Sequence, residues 1–290
     1  MQLRDALRDA TARLTRAGVP EAQFDARALA AHALGVPLAQ LPLHYAQALS
    51  AREYQAFESL VSARARREPL QYLTGVSGFY GREFACDRRA LIPRPDTETV
   101  VDVALELARM LGLTRIADLG TGCGIIAVTL AAELPGAQVL ATDSSGEALT
   151  LAAENVARHG LADRVMVAQG TWAQAVVAAG WAEWVEMIVS NPPYVRADEV
   201  ATLMPEVRDH EPREALMGPD ADGLGAYRTI LAGCRDLPGL RAVVFEVGAG
   251  QAAAVVELTR AALPVRELIV RKDLSKVDRA VAAVLETRQR

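Results

Sequence analysis

From about residue 98 onward, short apolar runs of strand length alternate with stretches of helical period, and no other feature of the sequence constrains the fold as much. The runs are Arg115–Leu119, Gln138–Thr142, Arg164–Ala168, Met187–Ser190 and Ala242–Val247. Strands that alternate with helices build βαβ units, and these give a mostly parallel sheet covered on both faces. Two further runs, Val265–Arg271 and Arg279–Leu285, have too little chain between them for a helix. That spacing predicts an antiparallel hairpin at one edge of the sheet.

Residues 1–75 read differently. Leu3, Leu7, Ala10 and Leu14 recur at helical spacing until Gly18 and Pro20. Phe24, Ala28, Ala31 and Leu34 predict a second helix closed by Gly35. Ser50 with Glu53 forms a capping box ahead of a third stripe, Tyr54, Phe57, Leu60 and Val61. In residues 76–92, Phe79, Tyr80 and Phe84 are broken by polar turns, which predicts a β-hairpin between two domains. The expected organisation is a helical domain over 1–75, a hairpin linker over 76–92 and an α/β domain over 93–290. A small helical module attached to a larger domain serves either recognition or scaffolding, and residue pattern leaves both open.

Composition narrows the function classes. The 290 residues are 51% hydrophobic and 23% charged, as in folded globular proteins, and carry a net charge of −5. A broad, sequence-independent grip on nucleic acid normally needs a basic face, so no stable nucleic-acid binding is expected. Cys86, Cys123 and Cys234 are odd in number and lack a CxxC spacing, which speaks against a disulfide framework or a cysteine metal site. His32, His44, His159 and His210 show no ligand spacing. Arg4, Asp5, Arg8 and Asp9 stand where a signal peptide would be apolar, and runs such as Ile125–Ala132 are far shorter than the ~20 residues of a membrane span. A soluble, cytoplasmic protein without a membrane partner is expected.

The first strand of the α/β domain runs into Asp118-Leu119-Gly120-Thr121-Gly122-Cys123-Gly124, followed by an apolar helix. Glycines there allow a tight turn and let a ligand approach the backbone at a helix N-terminus. The spacing G-x-G-x-G is not the dinucleotide fingerprint, and the Lys and Ser/Thr of a P-loop are missing. What remains is an adenosine-bearing ligand without a pyrophosphate. Asp143, at the end of the next strand, stands where an acid accepts both ribose hydroxyls, although Asp143-Ser144-Ser145 also reads as a helix N-cap.

The fourth strand ends in Asn191-Pro192-Pro193-Tyr194. Two prolines fix φ and cannot donate, so the strand stops abruptly. Asn191 offers a side-chain carbonyl and Pro192 a backbone one, which together can accept both N–H donors of a planar NH₂ group. Tyr194 offers an aromatic face to stack on it. The turn suits a primary amide or an aromatic amine.

Asp118–Gly124, Asp143 and Asn191–Tyr194 resemble the Rossmann-like, S-adenosylmethionine-dependent methyltransferases that act on a planar NH₂ nitrogen. More closely, the chain resembles the bacterial peptide chain release factor glutamine methyltransferases over nearly its whole length. Arg67–Gly75, Leu91–Glu98, Glu211-Pro212, Asp222-Gly223-Leu224 and Glu246-Val247-Gly248 with Gln251 match that pattern as well. The resemblance implies S-adenosylmethionine as cofactor, held by Asp118, Gly120, Thr121, Gly122, Cys123, Gly124, Asp143, Trp172 and Asn191. It implies that residues 1–75 grip a release factor and present its Gly-Gly-Gln glutamine to Asn191, Pro192, Pro193 and Tyr194. Two positions depart from the pattern: Thr171 stands where an acid often precedes Trp172, and Pro219 follows Gly218 in place of a second glycine. The rival substrates are an adenine amino group and a glutamine of a ribosomal protein. The acidic charge disfavours the first, and Glu211-Pro212 with Ala215-Leu216 resembles the release-factor branch more than the second.

Overall fold

The structure is a computed structural model and describes residues 1–218 and 220–286. The described chain divides into two units.

The first unit is Met1–Val76 together with Leu203–His210. Its helices are α1 (Leu3–Arg16), α2 (Ala22–Leu34), α3 (Ala51–Ala65) and α4 (Leu70–Thr74), with a 3₁₀ segment at Leu38–His44 and a short late helix at Pro205–His210, α9 in chain order. Helix α1 buries Leu3, Ala6, Leu7, Ala10 and Leu14, the stripe its spacing predicts. Helix α3 opens on the expected capping box, in which the Ser50 hydroxyl accepts from the Glu53 N–H and the Glu53 carboxylate accepts from the Ser50 N–H. Helix α2 differs from the expected stripe. It buries Ala22, Asp25, Ala26, Leu29, Ala30 and Ala31, while Phe24 is 50% exposed.

An interior ion cluster accounts for that rotation. Arg64 on α3 donates to Asp25 at 2.7 Å and to Glu206 of α9 at 2.8 Å, and Arg67 clamps both oxygens of Glu206 at 2.8 and 2.6 Å. Asp25, Arg64 and Glu206 are all buried. A buried arginine without carboxylates is strongly unfavourable, so α2 turns its acid inward and leaves Phe24 outside. The boundary drawn from sequence at residue 75 did not anticipate that residues 203–210 join the helical unit, because this bond set spans well over a hundred residues of chain.

The second unit is Ser77–Thr202 and Glu211–Arg290, of which residues to 286 are described. From the second residue of strand β1 (Val76–Phe79) onward it holds β2 (Arg82–Ala85), α5 (Thr97–Leu111), β3 (Arg115–Leu119), α6 (Ile125–Glu133), β4 (Gln138–Asp143) and α7 (Gly146–Arg158). Next come β5 (Val165–Gln169), α8 (Trp172–Ala178), β6 (Met187–Ser190), α10 (Arg213–Leu216) and α11 (Gly225–Cys234). The last elements are β7 (Ala242–Glu246), α12 (Ala252–Ala262), β8 (Val265–Lys272) and β9 (Asp278–Leu285). Phe79 and Phe84 of the β1–β2 hairpin enter the main core, and the Asn155 side chain bonds Ala85 through both its N–H and its carbonyl.

Among the described residues the main sheet has seven strands in the order β5-β4-β3-β6-β7-β9-β8. The first five are mutually parallel, and β9 pairs antiparallel with both β7 and β8. The predicted hairpin therefore exists, but only β8 is an edge, because β9 inserts beside β7. Residues alternate between two cores as a pleated strand requires: Met187 and Val189 face one, Ile188 the other. Helices α5, α6 and α7 cover the first face; α8, α11 and α12 cover the second. Helix α6 is buried from Ile125 to Ala131, which explains why it is apolar on every side. From β3 the chain winds outward to β4 and β5, then returns to place β6 on the other side of β3. The crevice at the C-terminal ends of β3 and β6 is the switch point at which ligands bind in such sheets.

Candidate active site

A cavity opens at that switch point. One end is formed by Gly120, Thr121, Gly122, Cys123, Asp143 and Trp172. The other is formed by Pro93, Arg94, Thr97, Asn191, Pro193 and Glu214. The structure thus brings the glycine loop, the acid after β4 and the Asn-Pro-Pro turn to one space, although they lie far apart in sequence.

The loop is held by β4. The N–H groups of Gly120 and Thr121 both donate to the Thr142 carbonyl at 2.8 Å, and the Gly122 N–H donates to Asp143 Oδ2 at 2.9 Å. Gly124, which opens α6, has φ 87°, and a Cβ there would lie 3.3 Å from Ala152. An L side chain is disfavoured at that dihedral and would press the loop away from α7. A Cβ on Gly120 would meet the Trp172 ring at 3.2 Å, so the indole lies directly over the loop. Trp172 itself has φ 48°, an uncommon value for a large side chain and a mark of local strain at a site. Thr171 lines the cavity beside it but provides no acidic group.

Asp143 does not cap α7. Ser145 does, accepting from the Ala148 N–H at 3.2 Å. Asp143 accepts one N–H on each oxygen, from Ser145 at 2.9 Å and from Gly122 at 2.9 Å, and each oxygen keeps a lone pair. Asp118, expected to touch the cofactor, does not line the cavity. It is fully buried beneath the loop, where Oδ2 accepts from the Thr121 hydroxyl at 2.6 Å and the Ala127 N–H at 3.1 Å. Its Oδ1 is buried without a partner. Burial, with the Asp143 charge adding to it, pushes the Asp118 carboxyl up to about 7. Gly124 likewise shapes the loop from outside the lining. Cys123 is a buried filler whose thiol burial pushes up to about 12.

At the other end, Asn191 lines the cavity and its amide bonds the Thr97 hydroxyl at 3.3 Å. Pro192 is buried, and Pro193 lines the wall. Tyr194 is not in the lining. Its hydroxyl donates to Glu246 at 3.1 Å and its carbonyl accepts from the Gln251 side chain at 3.1 Å. Burial, reinforced by the Glu246 charge, raises the Tyr194 phenol well above its ordinary value. Gly223 presses on the same turn: at φ 71°, a Cβ there would lie 2.3 Å from the Tyr194 carbonyl oxygen. Arg94 reaches the cavity while donating to the buried Glu211, which also accepts from the Ile92 N–H. Thr97, Glu246 and Arg94 were given no role by sequence reasoning. The available signal was the acid ending an otherwise apolar central strand, Ala242–Glu246. Pro219 lies outside the described residues. Among the described residues no group of three or more His, Cys, Asp or Glu could hold a metal ion, and no helix is long and apolar enough to cross a membrane.

The sheet order, the antiparallel β9 insertion and the glycine-loop cavity define the class I methyltransferase fold. A family model described as the methyltransferase small domain matches residues 101–207, and one described as the PrmC N-terminal domain matches residues 5–75. A release factor glutamine methyltransferase of Cereibacter sphaeroides is 45% identical over 287 residues, covering 98% of this chain and 99% of its own. A protein of the same name from Chlorobaculum tepidum is 36% identical, covering 92% of each chain. The chain belongs to the release factor glutamine methyltransferase family. The crystal structure of the hMettl16 catalytic domain in complex with MAT2A 3′UTR hairpin 6 shares the fold, with a TM-score of 0.57 at 18% identity, over 80% of this chain and 94% of that one.

Proposed function

We propose that this protein transfers a methyl group from S-adenosylmethionine to the side-chain amide nitrogen of the glutamine in the Gly-Gly-Gln loop of peptide chain release factors. The observation that carries the reading is a single cavity with an adenosine-type cradle at one end and the Asn191 amide at the other. The residues present fit the cofactor: Asp143 keeps a lone pair on each oxygen for ribose hydroxyls, and Trp172 with Ile125 and Ala148 supplies apolar wall for a flat base. Gly120, Thr121, Gly122, Asp143 and Trp172 would hold it directly, while Asp118, Cys123 and Gly124 shape the loop. Bound there, S-adenosylmethionine supplies an electrophilic methyl on a sulfonium.

The chain's own task is to place a poor nucleophile. An amide nitrogen has its lone pair delocalised into the carbonyl, so orientation in line with the methyl supplies much of the rate gain. Asn191 Oδ1 and the Pro192 carbonyl accept the two N–H groups of the substrate amide and favour the positive charge that develops on nitrogen during attack. Asn191 is neutral, and burial holds Cys123 and Tyr194 protonated at neutral pH, so none of these three serves as a base. The proton leaves after transfer, to water or to a backbone carbonyl. Tyr194 packs the turn from behind and does not need to stack on the substrate. The helical unit is assigned to gripping the release factor, and the protein to the cytoplasm.

Incubation with labelled S-adenosylmethionine and, separately, a purified release factor, a large-subunit ribosomal protein and DNA tests the assignment. Label should enter the release factor alone. Asn191→Ala should abolish that transfer while the cofactor Kd changes less than about fivefold, roughly one lost hydrogen bond. Undiminished methylation by the variant, or label in DNA instead, would overturn the reading.

A further inference from the structure

Glu246 is a buried acid for which the reaction has no direct use. It ends β7 at 1% exposure. Its Oε2 accepts from the Thr97 hydroxyl at 2.6 Å and its Oε1 from the Tyr194 hydroxyl at 3.1 Å. Thr97 is itself fully buried at the start of α5. A hydroxyl has one proton, and Thr97 commits it to Glu246. At its 3.3 Å contact with Asn191 it can therefore only accept. Of the two ends of the Asn191 amide, only Nδ2 can donate that bond. Oδ1, which makes no hydrogen bond among the described residues, is left as the amide's free acceptor. Nothing about an asparagine fixes which end faces a ligand; its surroundings decide.

The geometry points to Thr97 and Glu246 as positioning residues that lock the Asn191 amide with its oxygen, not its nitrogen, offered to the substrate NH₂. The inference rests on Asn191 being the group that receives the substrate amide. Turned the other way, Asn191 would set an N–H against an N–H and repel the glutamine it should hold. Glu246 thereby links the two ends of the turn, since the same carboxylate holds Asn191 through Thr97 and Tyr194 directly. Burial raises the Glu246 carboxyl, and the charge of Arg279, which is anchored by Asp96 and Asp273 at 3.2 Å each and by the Val247 carbonyl at 3.2 Å, acts to keep it ionised.

The test compares Thr97→Val, which keeps the side-chain shape and deletes the hydroxyl, with Thr97→Ser, which keeps the hydroxyl. Thr97→Val should lower kcat for release-factor methylation about tenfold to a hundredfold, the effect of one oriented hydrogen bond in a desolvated site. Its cofactor Kd should stay near that of the parent while its thermal midpoint falls by a few degrees, because Glu246 loses a buried donor, and Thr97→Ser should restore kcat to within about threefold. A second measurement needs no Thr97 variant. In the unmodified protein, the Asn191 side-chain NH₂ (assigned by its loss in Asn191→Asp) should exchange with solvent more slowly than the exposed asparagine and glutamine amides. Parent-like kcat in Thr97→Val with an inactive Asn191→Ala would overturn the relay and leave the methylation reading standing. Full activity in Asn191→Ala would overturn both. Fast exchange of the Asn191 NH₂, or equal loss in the Val and Ser variants, would also overturn the relay.

Discussion

The carboxyl beneath the glycine loop makes a quantitative prediction. Asp118 is fully buried, one of its oxygens has no partner, and its folded value is about 7 against an ordinary 3.8. Between those two values the folded protein holds a proton that the unfolded chain has lost. Stability should therefore fall as pH rises through that interval, and level off once the folded carboxyl has ionised. At about 1.4 kcal/mol per pH unit, the full penalty approaches ~4 kcal/mol in alkaline solution, and about 3 kcal/mol of it develops between pH 5 and 8. Asp118→Asn removes the titration and keeps the shape, because its oxygen can take the Thr121 and Ala127 donors while its NH₂ replaces the orphaned oxygen. Any offset from that NH₂ is independent of pH, so only the slope of the difference is diagnostic. Urea denaturation of both proteins at pH 5, 6, 7 and 8 reads it directly. The variant should gain on the parent by about 3 kcal/mol over that range. Parallel pH profiles would refute the buried-charge account of Asp118.

Four further outcomes are expected. Gly223→Ala adds a Cβ 2.3 Å from the Tyr194 carbonyl at a dihedral that disfavours it; turnover should fall at least tenfold with about 2–4 kcal/mol lost in stability, and an unchanged kcat would refute the clamp on the turn. Arg64→Leu strands Asp25 and leaves Glu206 to Arg67 alone, so the denaturation midpoint should report a loss of about 3–5 kcal/mol; under about 1 kcal/mol would show that the cluster is not stabilising. Burial acts to raise Glu206, but the Arg67 and Arg64 guanidiniums outweigh it and hold its carboxyl below the ordinary range. Its share of stability is therefore present above the unfolded value and is lost as pH falls through the lower, folded one. Adding a release factor should slow hydrogen exchange in α1 to α3; protection confined to the second unit would refute the gripping role of the helical unit.

Several elements were legible because local chemistry fixes them. The runs at Arg115, Gln138 and Met187 became strands within a residue or so of their expected bounds, since short, mostly apolar runs without polar alternation suit strands buried on both faces. The Ser50 cap and the α1 stripe were legible because their partners lie three or four residues away. The buried face of α2 was not, because Asp25 turns inward to reach Arg64, a choice that hydrophobic spacing cannot register. The family resemblance implies a cofactor contact for Asp118, but a motif match carries no direction for the carboxyl, and in the fold it points under the loop to Thr121 and Ala127.

The sequence by itself determined the α/β class, the glycine loop, the Asn-Pro-Pro-Tyr turn and the kind of chemistry they serve together. Those signals are contiguous: two prolines restrict φ and stop the strand, and glycines stand at 120, 122 and 124, where the loop takes positive φ. Only the tertiary structure decided which atoms line the cavity and how they are held. It left Asp143 a lone pair on each oxygen, tied Tyr194 to Glu246, and set the Asn191 amide against the Thr97 hydroxyl. The physical reason is that an amide or a carboxylate takes its direction from hydrogen-bond partners. Those partners stand as far apart in the chain as Thr97 and Glu246, and meet only when the sheet closes between them.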